Sequence, residues 1–299
     1  MKKNFTLLLM LIFSTVLAQN GKLISKRLVR LQDVPVWAGI CESDSLKPEF
    51  AHLGKLNFYF IKYESDGLQV NGIVVAPKKP GIYPVIIFNR GGNRSFGSLT
   101  IQHMIAYTAK LAAEGFVIIA SNYREKDEFG GSDINDVLYL TETVNEIEFA
   151  DAQNIGMFGW SRGGMMTYLA LAKSRKIKTA VISNGPTDLI GLLKDRPEME
   201  SEVYRQCIPG YDANKEFELK KRSVVFWPEK LDKQSSLLIL CGTNDDKVNP
   251  HHAEEIARKL TQIRYDFEIR RFDTDHTFSD KMNEMNATIA AWFIRKLKK

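Results

Sequence analysis

The chain has 299 residues, of which 44% are hydrophobic and 26% are charged. This composition is typical of a globular protein and excludes a collagen-like, coiled-coil or disordered chain. The 41 basic and 36 acidic residues leave a net charge of +5, which is weak evidence for a nucleic-acid partner, and we predict none. The length is sufficient for one large domain or two small domains with a substantial core.

The first eighteen residues have the pattern of a secretory signal peptide. Lys2 and Lys3 precede the apolar run Leu7–Phe13, and Val16–Ala18 carries small residues where a signal peptidase would cut. The apolar run is shorter than the roughly 20 residues needed to span a bilayer, so we expect no stable membrane insertion. We therefore predict a signal peptide at residues 1–18 and a secreted or periplasmic protein.

The rest of the chain begins with a mixed region, 19–54, which we interpret as an N-terminal extension. Two strands joined by a tight turn follow, and repeated strand–helix pairs come after them. This order predicts an α/β fold with a mostly parallel central sheet flanked by helices. Residues 55–299 would form one domain, with a polar and irregular cap insertion at about 187–230. The predicted strands are Asn57–Tyr63, Leu68–Ala76, Tyr83–Phe88, Phe116–Ser121, Asn154–Trp160, Lys178–Ser183, Ser236–Cys241 and Tyr265–Phe272, and the predicted helices are Ser98–Glu114, Asp133–Asn145, Met165–Ser174, one opened by Asn249-Pro250, and 280–298.

A candidate nucleophile lies between a predicted strand and a predicted helix. The segment Gly159–Gly163 reads Gly-Trp-Ser-Arg-Gly, which is a G-x-S-x-G pattern. In this context the pattern forms a sharp turn that exposes the serine hydroxyl at a helix N-terminus, where the helix dipole favours developing negative charge. We therefore predict Ser161 as a nucleophile; the alternative is an ordinary strand-to-helix turn.

A serine nucleophile needs a base to take its proton and an acid to orient that base. Among the five histidines, only His276 follows a late predicted strand, whereas His251 and His252 open a helix, where we expect them to face solvent. The loop after another buried strand offers two acids, Asp245 and Asp246. The chain order of nucleophile, acid and base is that of α/β-hydrolases.

An oxyanion formed at the attacked carbonyl needs two backbone N–H donors. We expect one of them to be Arg162, the residue after the nucleophile. The other should come from the loop Asn89–Asn93, whose paired glycines allow a close approach to the substrate, and we predict Gly91. A simple turn after the strand is the alternative.

The three cysteines, Cys41, Cys207 and Cys241, are too few and odd in number for a disulfide scaffold. Cys241 ends an apolar run and should be buried, while a bridge between Cys41 and Cys207 remains open. The sequence has no motif typical of a zinc or calcium site, so we predict neither a metal nor a cofactor.

Five blocks of this sequence resemble the catalytic domain of the prolyl oligopeptidase family of serine peptidases, within the α/β-hydrolase superfamily. The resemblance covers about residues 55–298 and implies that Asp245, rather than Asp246, is the acid. We also predict that Asn89, Arg90 and Tyr123 contact substrate. In chain order the blocks are Asn89-Arg90-Gly91-Gly92, Asn122-Tyr123-Arg124 with Gly130-Gly131, Gly159–Gly164, Gly242–Val248, and His276.

Three departures from the family pattern bear on specificity. Arg90 stands where the family usually has tyrosine or histidine, and Arg162 stands where the proline-cleaving members have tyrosine. The segment Pro186–Leu189 lacks the aromatic residues of their proline pocket, so a preference for proline is not expected. A blade of the β-propeller of those peptidases takes about 40–50 residues, and on this ground we do not expect a propeller.

The sequence predicts a secreted serine hydrolase that forms an acyl-enzyme on a small-molecule or short-peptide substrate. A serine-type peptidase acting on short peptides and a carboxylesterase acting on small or carbohydrate-linked esters both remain open. A non-catalytic binding module with the same fold is an alternative of another class. The oligomeric state is not predicted.

Overall fold

The computed structural model describes residues 19–298, so the predicted signal segment, 1–18, lies outside the described residues. Nine strands form one sheet, and two further strands form a separate short ribbon. The strands are β1 (Leu23–Val29), β2 (Cys41–Glu42), β3 (Ser45–Leu46), β4 (Leu56–Ser65), β5 (Leu68–Pro77), β6 (Tyr83–Asn89), β7 (Val117–Ser121), β8 (Ala150–Trp160), β9 (Ile177–Ser183), β10 (Ser236–Gly242) and β11 (Phe267–Phe272). The α-helices are α1 (Trp37–Ile40), α2 (Ile101–Tyr107), α3 (Ala109–Ala113), α4 (Ile134–Leu138), α5 (Leu140–Thr143), α6 (Arg162–Leu171), α7 (Leu189–Asp195), α8 (Arg205–Cys207), α9 (Tyr211–Arg222), α10 (His251–Gln262) and α11 (Met282–Leu297).

The large sheet has the strand order β1-β4-β5-β7-β6-β8-β9-β10-β11. Pairing is antiparallel from β1 through β4 and β5 to β7. From β7 onward every neighbouring pair is parallel, through β6, β8, β9 and β10 to β11. The prediction of a mostly parallel α/β sheet is therefore confirmed.

Alternate residues of the central strands point to opposite faces of the sheet and fill two separate cores. In β6, Val85 and Ile87 belong to one core, while Ile86 and Phe88 belong to the other. Residues of α4, α6 and α10 cover the first core, and residues of α2, α3 and α11 cover the second. Burial on both faces explains why this strand is a continuous apolar run in the sequence.

The N-terminal extension contributes more to the sheet than the sequence analysis predicted. Its residues Leu23–Val29 form β1, which pairs antiparallel with β4 at one edge of the sheet. An edge strand has a neighbouring strand on one side only. Of the seven residues of β1, only Val29 is buried. Such a half-exposed strand lacks a continuous apolar run, which is why it was missed.

The long helix predicted at Ser98–Glu114 is wrong in one respect, because it consists of two helices, α2 and α3. The break occurs at Thr108, whose backbone leaves the helical region at φ −133°. Its hydroxyl donates to the carbonyl of Met104 at 2.8 Å, a local bond that competes with regular helix continuation.

The cap insertion at 187–230 is helical, not irregular as predicted. It contains α7, α8, α9 and short turns of π- and 3₁₀-helix. Pro197 and Pro209 lie between these helices, and Pro228 begins a 3₁₀ turn, so the prolines separate short helices. Buried side chains such as Tyr204 and Leu219 pack the cap onto the core above α6.

The described residues bear on the cysteines and on membrane-spanning helices. The three cysteines are all unpaired, so the Cys41–Cys207 bridge is not formed, and Cys241 is buried as expected. Within residues 19–298, no helix combines the length and the apolar character needed to cross a membrane.

Candidate active site

The candidate catalytic side chains follow three strands of the parallel part of the sheet, β8, β10 and β11. Ser161 follows β8, Asp245 follows β10 and His276 follows β11. The carboxyl ends of parallel strands meet at one edge of the sheet, and ligands bind there in folds of this type. The sheet thus brings together three residues that are far apart in the sequence.

The three side chains form one continuous hydrogen-bonded chain. His276 Nε2 lies 3.0 Å from Ser161 Oγ, and His276 Nδ1 lies 2.7 Å from Asp245 Oδ2. A carboxylate can only accept, so the proton of the neutral imidazole belongs on Nδ1, and Nε2 is free to accept from the serine hydroxyl. The Asp245 side chain is fully buried, whereas that of His276 is 15% exposed.

The geometry distinguishes the two adjacent acids in the loop after β10. Asp245 Oδ1 accepts the N–H groups of Lys247 and Val248, both at 2.8 Å, which leaves Oδ2 to face His276. Asp246 points away; its carboxylate is 70% exposed and pairs with Lys247. Only Asp245 can therefore orient the imidazole.

Ser161 has a strained backbone that only its surroundings can maintain. Its φ of 54° and ψ of −126° are rare for a residue with a side chain. The turn also brings α6 very close to the neighbouring strands. A Cβ atom built on Gly163 would lie 1.9 Å from the carbonyl oxygen of Asn89, so only glycine fits at Gly163.

Two residues beside Ser161 have a backbone N–H group with no backbone acceptor among the described residues. They are Gly91, in the loop after β6, and Arg162, the first residue of α6. A Cβ atom on Gly91 would lie 3.8 Å from Ser161 Oγ, so this loop adjoins the serine hydroxyl. Both donors are thus available to an oxyanion.

The contact of Arg90 with substrate stays a prediction, but the structure gives this side chain a different, structural role. Its side chain is buried at 3% exposure. An arginine has five N–H donors, and all of them are used on backbone carbonyls. These are the carbonyls of Gly91, Arg94, Phe96 and, twice, Asn122, at 2.8 to 3.3 Å. Arg90 therefore holds the loop after β6 in shape.

Asn89 and Tyr123 are also buried and bind other parts of the protein, and their contact with substrate stays a prediction. The Asn89 amide donates to Thr167 Oγ1 at 2.9 Å, on the inner face of α6. The Tyr123 hydroxyl donates to the carbonyl of Arg90 at 3.2 Å. The Tyr123 ring lies between two guanidinium groups, 4.8 Å from Arg90 and 5.0 Å from Arg162. These residues stabilise the loop from below.

The side chain of Arg162 turns away from the cleft and connects α6 to the segment after β7. Its guanidinium binds both carboxylate oxygens of Asp127, at 2.5 and 2.8 Å, and also contacts Asp133. A further donor reaches the carbonyl of Gly92 at 3.0 Å. Burial disfavours the charged guanidinium, but Asp133 and Asp127 outweigh that cost and raise the pKa of Arg162.

Three supporting residues were missed by the sequence analysis. Asp127 and Asp133 are the buried partners of Arg162; the signal for them was the arginine itself, because a buried guanidinium needs acidic partners. Asn184, with φ of 48°, follows β9. Its amide donates to the carbonyl of His276, and its Oδ1 accepts the N–H of Gly242, both at 2.9 Å. It therefore links the segment that carries His276 to the end of β10, which precedes Asp245.

One cluster of potential metal ligands occurs in the part of the chain that the structure describes. It comprises Asp195, His251 and His252, whose ligand atoms lie within 4.8 Å of one another. His252 is buried, not solvent-facing as predicted, and its Nδ1 accepts the N–H groups of Thr187 and Asp188 at 3.4 and 3.3 Å. The proton of His252 must then be on Nε2, the atom that faces Asp195, so only two ligands remain. That is fewer than the three protein ligands of a catalytic zinc site.

Comparison with known proteins identifies the family. The model of the prolyl oligopeptidase family matches residues 102–299. The chain is 27% identical over 236 residues to the uncharacterized peptidase YtmA of Bacillus subtilis, an alignment that spans 76% of this chain and 89% of that protein. It is 26% identical over 264 residues to the uncharacterized peptidase YuxL of the same organism, over 78% of this chain but only 38% of that protein.

Solved structures show the same fold at lower identity. An acylaminoacyl peptidase in complex with Z-Gly-Gly-Phe-chloromethyl ketone superimposes with a TM-score of 0.70 at 22% identity, over 82% of this chain and 42% of that chain. The acylaminoacyl peptidase of Pyrococcus horikoshii gives a TM-score of 0.68 at 21% identity, over 84% of this chain and 43% of that chain. The family model covers well over half of the sequence, and the chain therefore belongs to the prolyl oligopeptidase family of serine peptidases, with an α/β-hydrolase fold.

Proposed function

We propose that Ser161, His276 and Asp245 are the nucleophile, the general base and the orienting acid of this peptidase. The observation that carries the proposal is the unbroken hydrogen-bonded chain from Ser161 Oγ through the imidazole to Asp245. Serine becomes a competent nucleophile when such a base removes its proton. Asp245 would stabilise the imidazolium that forms and keep Nε2 directed at the serine.

The reaction would proceed through an acyl-enzyme. Ser161 Oγ attacks the substrate carbonyl while its proton passes to His276 Nε2. The N–H groups of Gly91 and Arg162 stabilise the negative charge on the carbonyl oxygen. His276 then returns the proton to the departing amine, and a water molecule, deprotonated by the same nitrogen, releases the acid product and restores Ser161.

Short peptides are the substrates that the surroundings of the cleft favour. Arg94, in the loop that carries Gly91, donates to the carbonyl of Glu202 at 2.9 Å and contacts the side chain of Gln206. The cap is thereby tied to the oxyanion loop, and we infer that it restricts the approach of long or folded chains to Ser161. The side chain of Phe96, in the same loop, is 76% exposed and offers an apolar surface beside the cleft.

The decisive experiment compares wild-type protein with Ser161→Ala. A fluorophosphonate probe should label the wild type and leave the variant unlabelled, while the unfolding temperature of the variant stays similar. Short peptides and aminoacyl anilides should be hydrolysed by the wild type alone. Hydrolysis of short acyl esters with no cleavage of any amide would favour the carboxylesterase alternative over the peptidase. A folded wild-type protein that the probe does not label would contradict the assignment of Ser161.

We also propose that the protein is exported. The support is the basic, apolar and small-residue pattern of residues 1–18. Expression of the full chain in a bacterial host, followed by fractionation and N-terminal sequencing, should recover a protein outside the cytoplasm that begins at Gln19. Recovery of the intact N-terminus from the cytoplasmic fraction alone would contradict export.

A further inference from the structure

A second cavity lies at the far end of α6 from the nucleophile. Its volume is about 860 Å³, and its walls come from α6, from α9 and from the segment that begins at Gly130. Leu169, in its wall, is eight residues beyond Ser161 along the helix. At about 1.5 Å per residue this places Leu169 about 12 Å from Ser161 along the helix. None of the three triad residues lines the cavity.

Exposed aromatic side chains line this cavity. Phe217 is 65% exposed and Phe226 is 44% exposed, and they are two of the eight large hydrophobic side chains that are exposed among residues 19–298. Trp227 and Leu169 add further apolar wall between them. A large apolar surface gathered in one concave site is typical of a place where a ligand binds.

The charged residues that line the cavity are all basic. Lys173 follows α6, Lys220 and Lys221 belong to α9, and Lys230 ends the 3₁₀ turn beyond α9. No aspartate or glutamate lines it. The convergence of four lysines from three segments on one apolar cavity creates a field that attracts an anion.

Nearby acids neutralise only part of this charge. Glu216 pairs with Lys220, and both side chains are exposed. Glu218 lies 4.0 Å from Lys221 but also binds the buried guanidinium of Arg222, so its charge is shared. Lys173 and Lys230 form no ion pair with any residue that the structure describes, so two full positive charges remain at the cavity.

We propose that this cavity binds a small amphipathic anion with an apolar body and a carboxylate head. The apolar body would lie against Phe217, Phe226 and Trp227, and the carboxylate would meet the lysine ammonium groups. A volume of about 860 Å³ falls in the range of sites for small organic ligands, about 300–1,000 Å³. The site is independent of the catalytic assignment, because none of its residues belongs to the triad or to the oxyanion loop.

Isothermal titration calorimetry with decanoate, below its critical micelle concentration, tests the proposal. The titration uses Ser161→Ala protein, so that no covalent chemistry contributes. Decanoate should bind saturably with one site. Decyltrimethylammonium, which has the same chain length and the opposite charge, should not bind, nor should butanoate, which has the head group without the long chain. Equal binding of the cationic amphiphile, or no binding of decanoate, would overturn the proposal.

Two variants locate the site. Lys221→Glu/Lys230→Glu should weaken decanoate binding by about tenfold or more, because it reverses two charges beside the head group. Phe217→Ala should weaken it while leaving every charge in place. The control Lys55→Glu/Lys79→Glu makes the same change in net charge at exposed positions elsewhere and should bind decanoate as the parent does. Decanoate binds elsewhere if the control weakens its binding as much as the cavity variants do. The same conclusion follows if both cavity variants keep the affinity of the parent for decanoate and unfold at similar temperatures.

Discussion

Arg162 and Asp127 form a two-pronged ion pair, with Nη1 2.5 Å from Oδ2 and Nη2 2.8 Å from Oδ1. Both side chains are at most 3% exposed. Because Arg162 follows Ser161 and also binds the carbonyl of Gly92, one side chain joins α6, the segment after β7 and the loop after β6. Arg162 thus has two parts near Ser161: a backbone N–H without a backbone acceptor and a side chain that holds the surrounding segments together.

Replacement of the Arg162 guanidinium should therefore affect the rate more than substrate binding. Arg162→Lys keeps the charge but loses the fork that holds Asp127 and Gly92 together. We expect the oxyanion donors to shift and kcat to fall by roughly 10²-fold, with a much smaller change in KM. Steady-state kinetics on a peptide substrate measures both quantities. A rise in KM at unchanged kcat would contradict a positioning role.

Complete removal of the charge should also destabilise the fold. Arg162→Met leaves Asp127 and Asp133 buried without their partner, which typically costs about 3–5 kcal/mol of unfolding free energy. Arg271→Met is the matched control, because Arg271 pairs with Glu254 on the surface and such pairs contribute about 0–1 kcal/mol. Urea denaturation of both variants measures the difference in the free energy of unfolding. An equal loss of unfolding free energy in both would show that the buried ion pairs contribute no more than a surface pair.

The two adjacent aspartates after β10 should have very different effects on activity. Asp245→Asn can no longer accept the His276 Nδ1 proton as a carboxylate, and loss of this partner lowers kcat by about 10⁴-fold in serine proteases. Asp246→Asn should stay within about twofold of wild type, since its carboxylate meets only solvent and Lys247. Comparable losses in both variants, measured as kcat or as the rate of fluorophosphonate labelling, would contradict the assignment.

Most of the fold could be predicted from the sequence, because strands such as β6 and β7 are buried on both faces and therefore form continuous apolar runs. The edge strand β1 could not be predicted, because most of its residues are exposed and it therefore has no continuous apolar run. The helices of the cap were missed because α7 and α8 are short and lie beside prolines, a combination that in sequence is typical of a loop.

The site was predictable only where a motif carries it. The turn around Ser161 has a recognisable sequence, and chain order then narrows the choice to His276 and to the adjacent pair Asp245 and Asp246. Only the family resemblance favours Asp245 over Asp246, and the catalytic roles of these residues remain predictions. A buried Arg162 implies acidic partners, but no motif identifies them, because 36 acidic residues are available and only packing decides which two bind it. His252 was placed wrongly for the same reason, since its position in the helix does not indicate which face the Thr187 segment covers.

The close approach of α6 to β6 predicts a severe effect at Gly163. An alanine Cβ there would lie 1.9 Å from the carbonyl oxygen of Asn89, a backbone atom that cannot rotate away. We expect Gly163→Ala to lower the unfolding free energy by about 3 kcal/mol or more. Gly39→Ala is the control. Apart from its chain neighbours and the backbone of its own helix, no described residue has an atom within 4 Å of its Cβ position in α1, so the change should alter stability by at most about 1 kcal/mol. Similar unfolding curves for the two variants would contradict the close contact.

The buried imidazole of His252 should make stability depend on pH. Burial, assisted by the neighbouring His251, lowers the pKa of His252 to about 4, although Asp188 and Asp195 oppose this shift. Between pH 6.5 and 4, His252 is protonated in the unfolded chain but stays neutral in the folded protein. Its contribution to the free energy of unfolding is therefore complete above pH 6.5 and is lost as the pH falls toward 4. Its full size is about 3 kcal/mol. In His252→Gln, the side-chain oxygen can still accept the N–H groups of Thr187 and Asp188. We expect the urea-denaturation midpoint of this variant to change less between pH 6.5 and 4 than that of the wild type, whereas His103→Gln should keep the wild-type pH dependence. The same pH dependence in both variants would refute the role of His252.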